Sequence, residues 1–328
     1  MSPNGNPARV APIADLSYRN YDGPLHSRSV RWWIVAVANI RLTARNRWFW
    51  WLSIGSLAPY VLFGLFFYFT HMFAAASPTG AAESMGPLYK DKNGHQYAML
   101  FYQCVASFSP TWLFGIALLV GAGSIASDNR ANALQVYLSK PITKGDYLLG
   151  KWMGVFLPVT MAALLPALVL FACMGMAYSS DGFFHKEPTL IWRILAAGMI
   201  PGAVHASLIL GFSAWSKTAR LAGAFYAGVF FVGDIIVPIF TMVANRMDPS
   251  KDILLQHLCI SGAISGLAQN IFGVTIVRSM FHRHAMQLSQ SVIPAPNAWA
   301  LGAITLGACA VAVAAARWRI RAVEVVRG

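Results

Sequence analysis

The chain has 328 residues, 57% hydrophobic and only 11% charged, where an average soluble domain carries about 25% charged residues. Several uncharged runs reach the roughly 20 residues needed to cross about 30 Å of hydrocarbon, which excludes a soluble globular protein. A net charge of +13 would suggest nucleic acid in a soluble protein, but here the placement of the basic residues matters more than their sum, and nucleic-acid binding is set aside.

Residues 1–26, rich in Pro, Asn, Gly and Ser, read as a disordered cytoplasmic leader. Met1–Arg31 is polar and holds no apolar core of the kind a cleaved signal peptide carries. Over residues 27–50 the pattern turns helical. Val30, Trp33, Val37, Ile40, Ala44 and Trp48 recur at three- and four-residue steps, Arg31, Arg41 and Arg45 follow the neighbouring flank, and Asn39 falls on the far side. This predicts an amphipathic helix in the membrane interface with its arginines toward anionic headgroups. The plainer reading is a basic juxtamembrane flank with tryptophans at the aromatic belt.

Residues 51–328 read as an all-α domain of six membrane spans. Five are Trp51–Phe73, Tyr97–Ser127, Trp152–Tyr178, Ile194–Trp215 and Leu221–Val243, and the last ends at Ala316. With the N-terminus inside, 17 of the 25 Lys and Arg residues fall in inner segments and eight in outer ones, which places both termini in the cytoplasm. The outer segment Ala74–Gln96 contains "LYKDKNGHQY", whose Asn93-Gly94 pair suits a two-residue hairpin. A second outer segment, Ser179–Pro188, is shorter. The four cysteines stand singly, with no metal-binding spacing.

The stretch Ile253–Val277 carries no Asp, Glu, Lys or Arg and is long enough for a seventh span. Ser261, Gly262, Ser265, Gly266, Gln269 and Asn270 would leave polar groups facing lipid, so a re-entrant or interfacial pair of short helices before span six is expected instead. The Gly262 to Gly266 spacing fits a close helix contact.

The most polar internal stretch is "SDNRANALQVYLSKPITKGDYLLGKW", Ser127–Trp152. Asp128, Asn129 and Arg130 close span two, and Ala133–Leu138 suits a short helix with Leu134, Tyr137 and Leu138 on one side. Pro141 stops it. Thr143 with Asp146 three positions on forms a capping-box pattern for the helix that leads through Lys151 into span three. The chain thus makes a compact cytoplasmic knuckle suited to docking a partner.

At these residues the sequence resembles the permease subunits of type-2 ABC exporters. The matching pieces are Asp128, Leu134, "YLSKPI" (Tyr137–Ile142) and "YLLGK" (Tyr147–Lys151). Ala131-Asn132-Ala133 stands where the family often has Gly-Thr, a departure that bears on which ATPase docks. The resemblance implies a coupling helix received by a cytoplasmic ABC ATPase, through Asp128, Arg130, Leu134, Tyr137, Leu138, Lys140 and Pro141. It also implies a second permease chain, as a homo- or heterodimer, and a bacterial cytoplasmic (inner) membrane. No GxxxxGK[ST] pattern exists, so no cofactor is expected on this chain, and ATP and Mg belong to the partner.

Asp234, near the middle of span five, would cost on the order of 2.5–3.5 kcal/mol if it faced lipid. It reads either as a pathway-lining carboxylate or as a hydrogen-bonded group joining helices. His205 in span four is a candidate partner, and the plainer reading is a histidine satisfied between helices. His282 and His284 are weak metal candidates, since a His-x-His pair alone carries little information. Pro59, Pro110, Pro158, Pro166, Pro201 and Pro238 interrupt apolar runs and are candidates for helix bends. The alternative function is an integral membrane enzyme acting on lipid, for which Asp234 with His205 is the one available acid–base pair.

Overall fold

The computed structural model describes residues 30–76, 96–107, 109–133, 142–180, 182–247, 257–282, 287–293 and 295–320. The expected leader, the Asn93-Gly94 turn and all but the first residue of the expected Ala133–Leu138 helix lie outside these residues.

Helix α1 (Arg31–Ala44) is separated by one corner from α2 (Arg47–Gly55), and α3 (Ala58–Ala76) completes the first span. The corner is polar: the Asn46 side chain accepts a hydrogen bond from Trp48 N, and Trp50 Nε1 donates to Ala44 O at 2.9 Å. Pro59 sits in the first turn of α3, where its missing N–H costs nothing.

The second apolar run is not one helix, contrary to the expected Tyr97–Ser127 span. It divides into α4 (Gln96–Ala106), α5 (Ser109–Gly121) and α6 (Ala126–Arg130), and the spanning part is Ser109–Arg130. Pro110 explains the first break, because its ring would clash with the carbonyl four residues back, that of Ala106. Ser213 stitches the second break. Its hydroxyl accepts from Ile125 N and Ala126 N, each at 3.0 Å, and donates to Ala122 O.

Helix α7 (Lys144–Ala177) follows, then the single turn α8 (Phe183–Lys186), α9 (Leu190–Trp215) and α10 (Ala219–Met247). Pro158, Pro166, Pro201 and Pro238 lie inside continuous helices. Beyond α10 come α11 (Ile260–Phe272), strands β1 (Ile276–His282) and β2 (Gln287–Ile293), and α12 (Ala298–Arg319). The described chain is therefore helical apart from one hairpin, and six of its helical segments are long and apolar enough to cross a membrane.

Among the described residues, the region where a pair of short helices is expected before span six holds one helix and that antiparallel hairpin, and residues 248–256 lie outside them. Gly273, at φ 66°, ends α11 in the left-handed conformation that glycine tolerates best. From there β-branched Ile276 and Val277 pair with Ile293 and Val292, a composition suited to strands.

Small residues let the helices approach. Gly198 and Gly202 bring α9 against Leu164, Thr160 and Phe156 of α7. On α7 itself, Gly150 and Gly154 receive α1: a Cβ at Gly150 would lie 2.5 Å from Trp32 O, and one at Gly154 2.7 Å from Asn39. Spans two and four are the most buried, whereas five and six carry broad apolar faces. On α10 the exposed stripe runs Phe225, Val229, Val232, Ile236, Ile239.

Candidate coupling site and intramembrane polar groups

The knuckle is built from its two ends. Thr143 Oγ1 accepts from Asp146 N at 3.1 Å and the Asp146 carboxylate accepts from Thr143 N, so the capping box starts α7 at Lys144. One turn on, Tyr147 and Lys151 share a helix face, four residues apart. Both reach Asp128 at the end of α6. Lys151 Nζ lies 2.8 Å from Asp128 Oδ2, and Tyr147 Oη donates to the same oxygen at 2.7 Å. Lys151 and Tyr147 are buried, so the pair is shielded from water. Asn129 Nδ2 adds a bond to Ala214 O at the end of α9.

These contacts bring together the acidic residue closing span two and the Tyr and Lys of "YLLGK". The glycine of that motif is explained too, since Gly150 lies under Trp32 and Val35 of α1. Arg130 is exposed at the end of α6, and Asn132 adopts φ 51°, which turns the chain away from the helix. Leu134, Tyr137, Leu138, Lys140 and Pro141 lie outside the described residues.

At the opposite end of the bundle, the loop before α9 and the first turn of α9 hold two short helices. Glu187 Oε2 accepts from Ala98 N at 2.9 Å, and its Oε1 accepts from Tyr97 N at 3.1 Å, at the start of α4. Arg193 Nη1 donates to Phe272 O at 2.8 Å, at the last residue of α11. Helices α4 and α11 pack against each other. Neither Glu187 nor Arg193 stands out in the sequence, because their partners are about 80 to 90 residues away.

Helix α11 runs inward from Arg193. In its first turn Ser261 Oγ donates to Asp234 Oδ1 at 2.5 Å. Asp234 lies seven residues inside the Thr241 end of its span, about 10 Å at 1.5 Å per residue. Most polar side chains of α11 are bonded within the protein, while the buried amide of Gln269 has no hydrogen-bond partner among the described residues. Asn270 Nδ2 bonds Gly266 O and Pro296 O, Ser265 bonds Gly262 O, and Gln269 is fully buried. Gly266 brings the helix close to Leu301 of α12.

His205 does not meet Asp234. It is fully buried between α9 and α10, where its Nδ1 pairs with Tyr226 Oη beside Phe230. The one acid–base pair that a lipid-modifying enzyme could have used is thus divided between Ser261 and Tyr226. His282 lies in β1 opposite Gln287, and His284 lies outside the described residues. Among the described residues, no three His, Cys, Asp or Glu side chains converge to hold a metal.

Six helices long and apolar enough to cross a membrane define an integral membrane protein. A family model described as "ABC-2 family transporter protein" matches residues 33–324, so the chain belongs to this family as a permease subunit of a type-2 ABC transporter. No curated protein matches the chain.

Proposed function

We propose that the chain is the membrane half of an ATP-driven exporter, powered by a separate cytoplasmic ABC ATPase that docks on the segment between α6 and α7. The observation that carries this reading is the Asp128–Lys151–Tyr147 cluster. It ties the last turn of span two to the first turns of span three, so a force on the intervening segment acts on both spans together. Leu134, Tyr137 and Leu138 enter a groove on the ATPase, and Arg130, Lys140 and Lys144 flank them. ATP and Mg act on the partner.

The distribution of Lys and Arg supports an inner-membrane orientation with this end in the cytoplasm. The exposed stripe on α10 supports pairing with a second permease chain, identical or related. Asp234, half-buried on the opposite side of that helix and bonded to Ser261 of α11, is a carboxylate at membrane depth and so a candidate pathway group.

The test is purification of the tagged chain from its own membranes together with its ATPase, scored by bound ATPase protein and ATP hydrolysis. Leu134→Glu with Tyr137→Glu abolishes both while the permease still inserts. A double variant that retains the ATPase at wild-type yield removes the docking role, as does labelling of Lys144 only from the outer side.

A further inference from the structure

We propose that the corner between α1 and α2 is a binding site for the phosphate of an anionic phospholipid. Ile34, Ala38, Arg41, Leu42 and Arg45 follow one another at helical spacing along an exposed stripe of α1, while Val35, Ala36 and Thr43 are buried. On this stripe opens a groove of about 530 Å³, lined by Ala38, Arg41, Leu42, Ala44 and Arg45. Arg47, in the first turn of α2, stands just beyond the corner.

These three arginines are exposed, and among the described residues none has a carboxylate partner. The segment Val30–Gly55 contains no Asp or Glu at all. Three uncompensated guanidinium groups within seven residues create a field that favours an anion, and the planar fork of arginine matches phosphate oxygens two at a time.

The surroundings decide which anion. Leu42 is 70% exposed and Trp48, Trp50 and Trp51 are each more than half exposed, so a water-soluble acidic ligand would leave this apolar surface in water. A phospholipid satisfies both halves, with its phosphate on Arg41 and Arg45 and its acyl chains along Leu42 and the tryptophans. The bond from Trp50 to Ala44 O holds one of these rings against the rim of the groove. The other side of α1 is clamped on Gly150 and Gly154, next to Lys151. A lipid bound here therefore steadies the base of span three.

The test uses the full chain in nanodiscs made from equal parts phosphatidylglycerol and phosphatidylcholine, released for native mass spectrometry. The wild type retains phosphatidylglycerol in preference. Arg41→Gln with Arg45→Gln lowers that retention roughly tenfold, the loss expected for charge-assisted bonds, whereas Arg317→Gln with Arg319→Gln on α12 leaves it unchanged. Arg41→Lys with Arg45→Lys keeps the charge, loses the fork and weakens retention several-fold. Equal retention of both lipids by the wild type overturns the site. So does undiminished retention in either Arg41 and Arg45 variant, or an equal loss in the α12 variant.

Discussion

Glu187 and Arg193, six residues apart, hold opposite ends of two different helices: the carboxylate caps the N-terminus of α4 and the guanidinium caps the C-terminus of α11. Each charge is the sign that its helix end favours, because unpaired N–H groups collect at one terminus and unpaired carbonyls at the other. One short segment therefore fastens both short helices at the same end of the bundle. A hydrogen bond to a charged group contributes about 1.5–3 kcal/mol. Glu187→Ala should raise hydrogen exchange of the first amides of α4, those of Tyr97 and Ala98, by roughly tenfold or more, and leave α11 protected. Arg193→Ala should loosen the last turn of α11 and spare α4. Equal loosening of both helices by either variant would mean that the clip is not divided in this way.

The Asp128–Lys151 pair predicts an asymmetric mutational response. Removing one partner strands a shielded charge, at a cost of about 3–5 kcal/mol. Lys151→Met should accordingly lower the unfolding temperature of the purified chain more than Asp128→Asn with Lys151→Met together, which removes both charges. Tyr147→Phe deletes one of the two bonds to Asp128 Oδ2 and should cost less than Lys151→Met. Thermal unfolding followed by tryptophan fluorescence measures all three. A double variant no more stable than Lys151→Met would show that the ion pair is not the dominant contact.

The six spans were legible because length and hydropathy alone decide them, and the capping box because Thr143 and Asp146 sit at a fixed spacing. The knuckle motif was legible as a pattern, but not its reason, since nothing local tells that Asp128 and Lys151 meet. Pro110 was visible as an interruption, yet whether it bends a helix or ends one depends on the geometry at Ala106. Glu187 and Arg193 went unread because each acts across about 80 to 90 residues of chain. The candidate pairing of His205 with Asp234 does not form, and the histidine is satisfied between helices instead, because matching chemistry on adjacent spans says nothing about which faces the helices present.

Close packing of α1 on α7 gives a steric prediction. A Cβ at Gly150 meets the backbone oxygen of Trp32, which cannot rotate aside, so Gly150→Leu should lift α1 away from α7. A cysteine introduced at Asn39 should then become labelled by a membrane-impermeant maleimide from the α1 side, several-fold faster than in the Gly150 background. Gly145→Leu serves as the control, since a Cβ there meets only Thr143 Oγ1 at an ordinary 3.6 Å. Equal labelling rates in all three backgrounds would show that α1 is not held by the glycine contact.

Asp234 and Ser261 supply the last test, because the bond between them is the described link from the C-terminal half of span five to the first turn of α11. Asparagine at 234 keeps an acceptor for the Ser261 hydroxyl but removes the charge; alanine at 261 keeps the charge and removes the donor. If the bond serves only to fasten the helices, Ser261→Ala should loosen the first turn of α11 in hydrogen exchange and Asp234→Asn should not. If the carboxylate serves the pathway, Asp234→Asn should alter substrate-stimulated ATP hydrolysis of the assembled transporter while that turn stays protected. The two readings are separated by which measurement moves, since a neutral acceptor satisfies the serine as well as a charged one but presents nothing to a cation in the pathway.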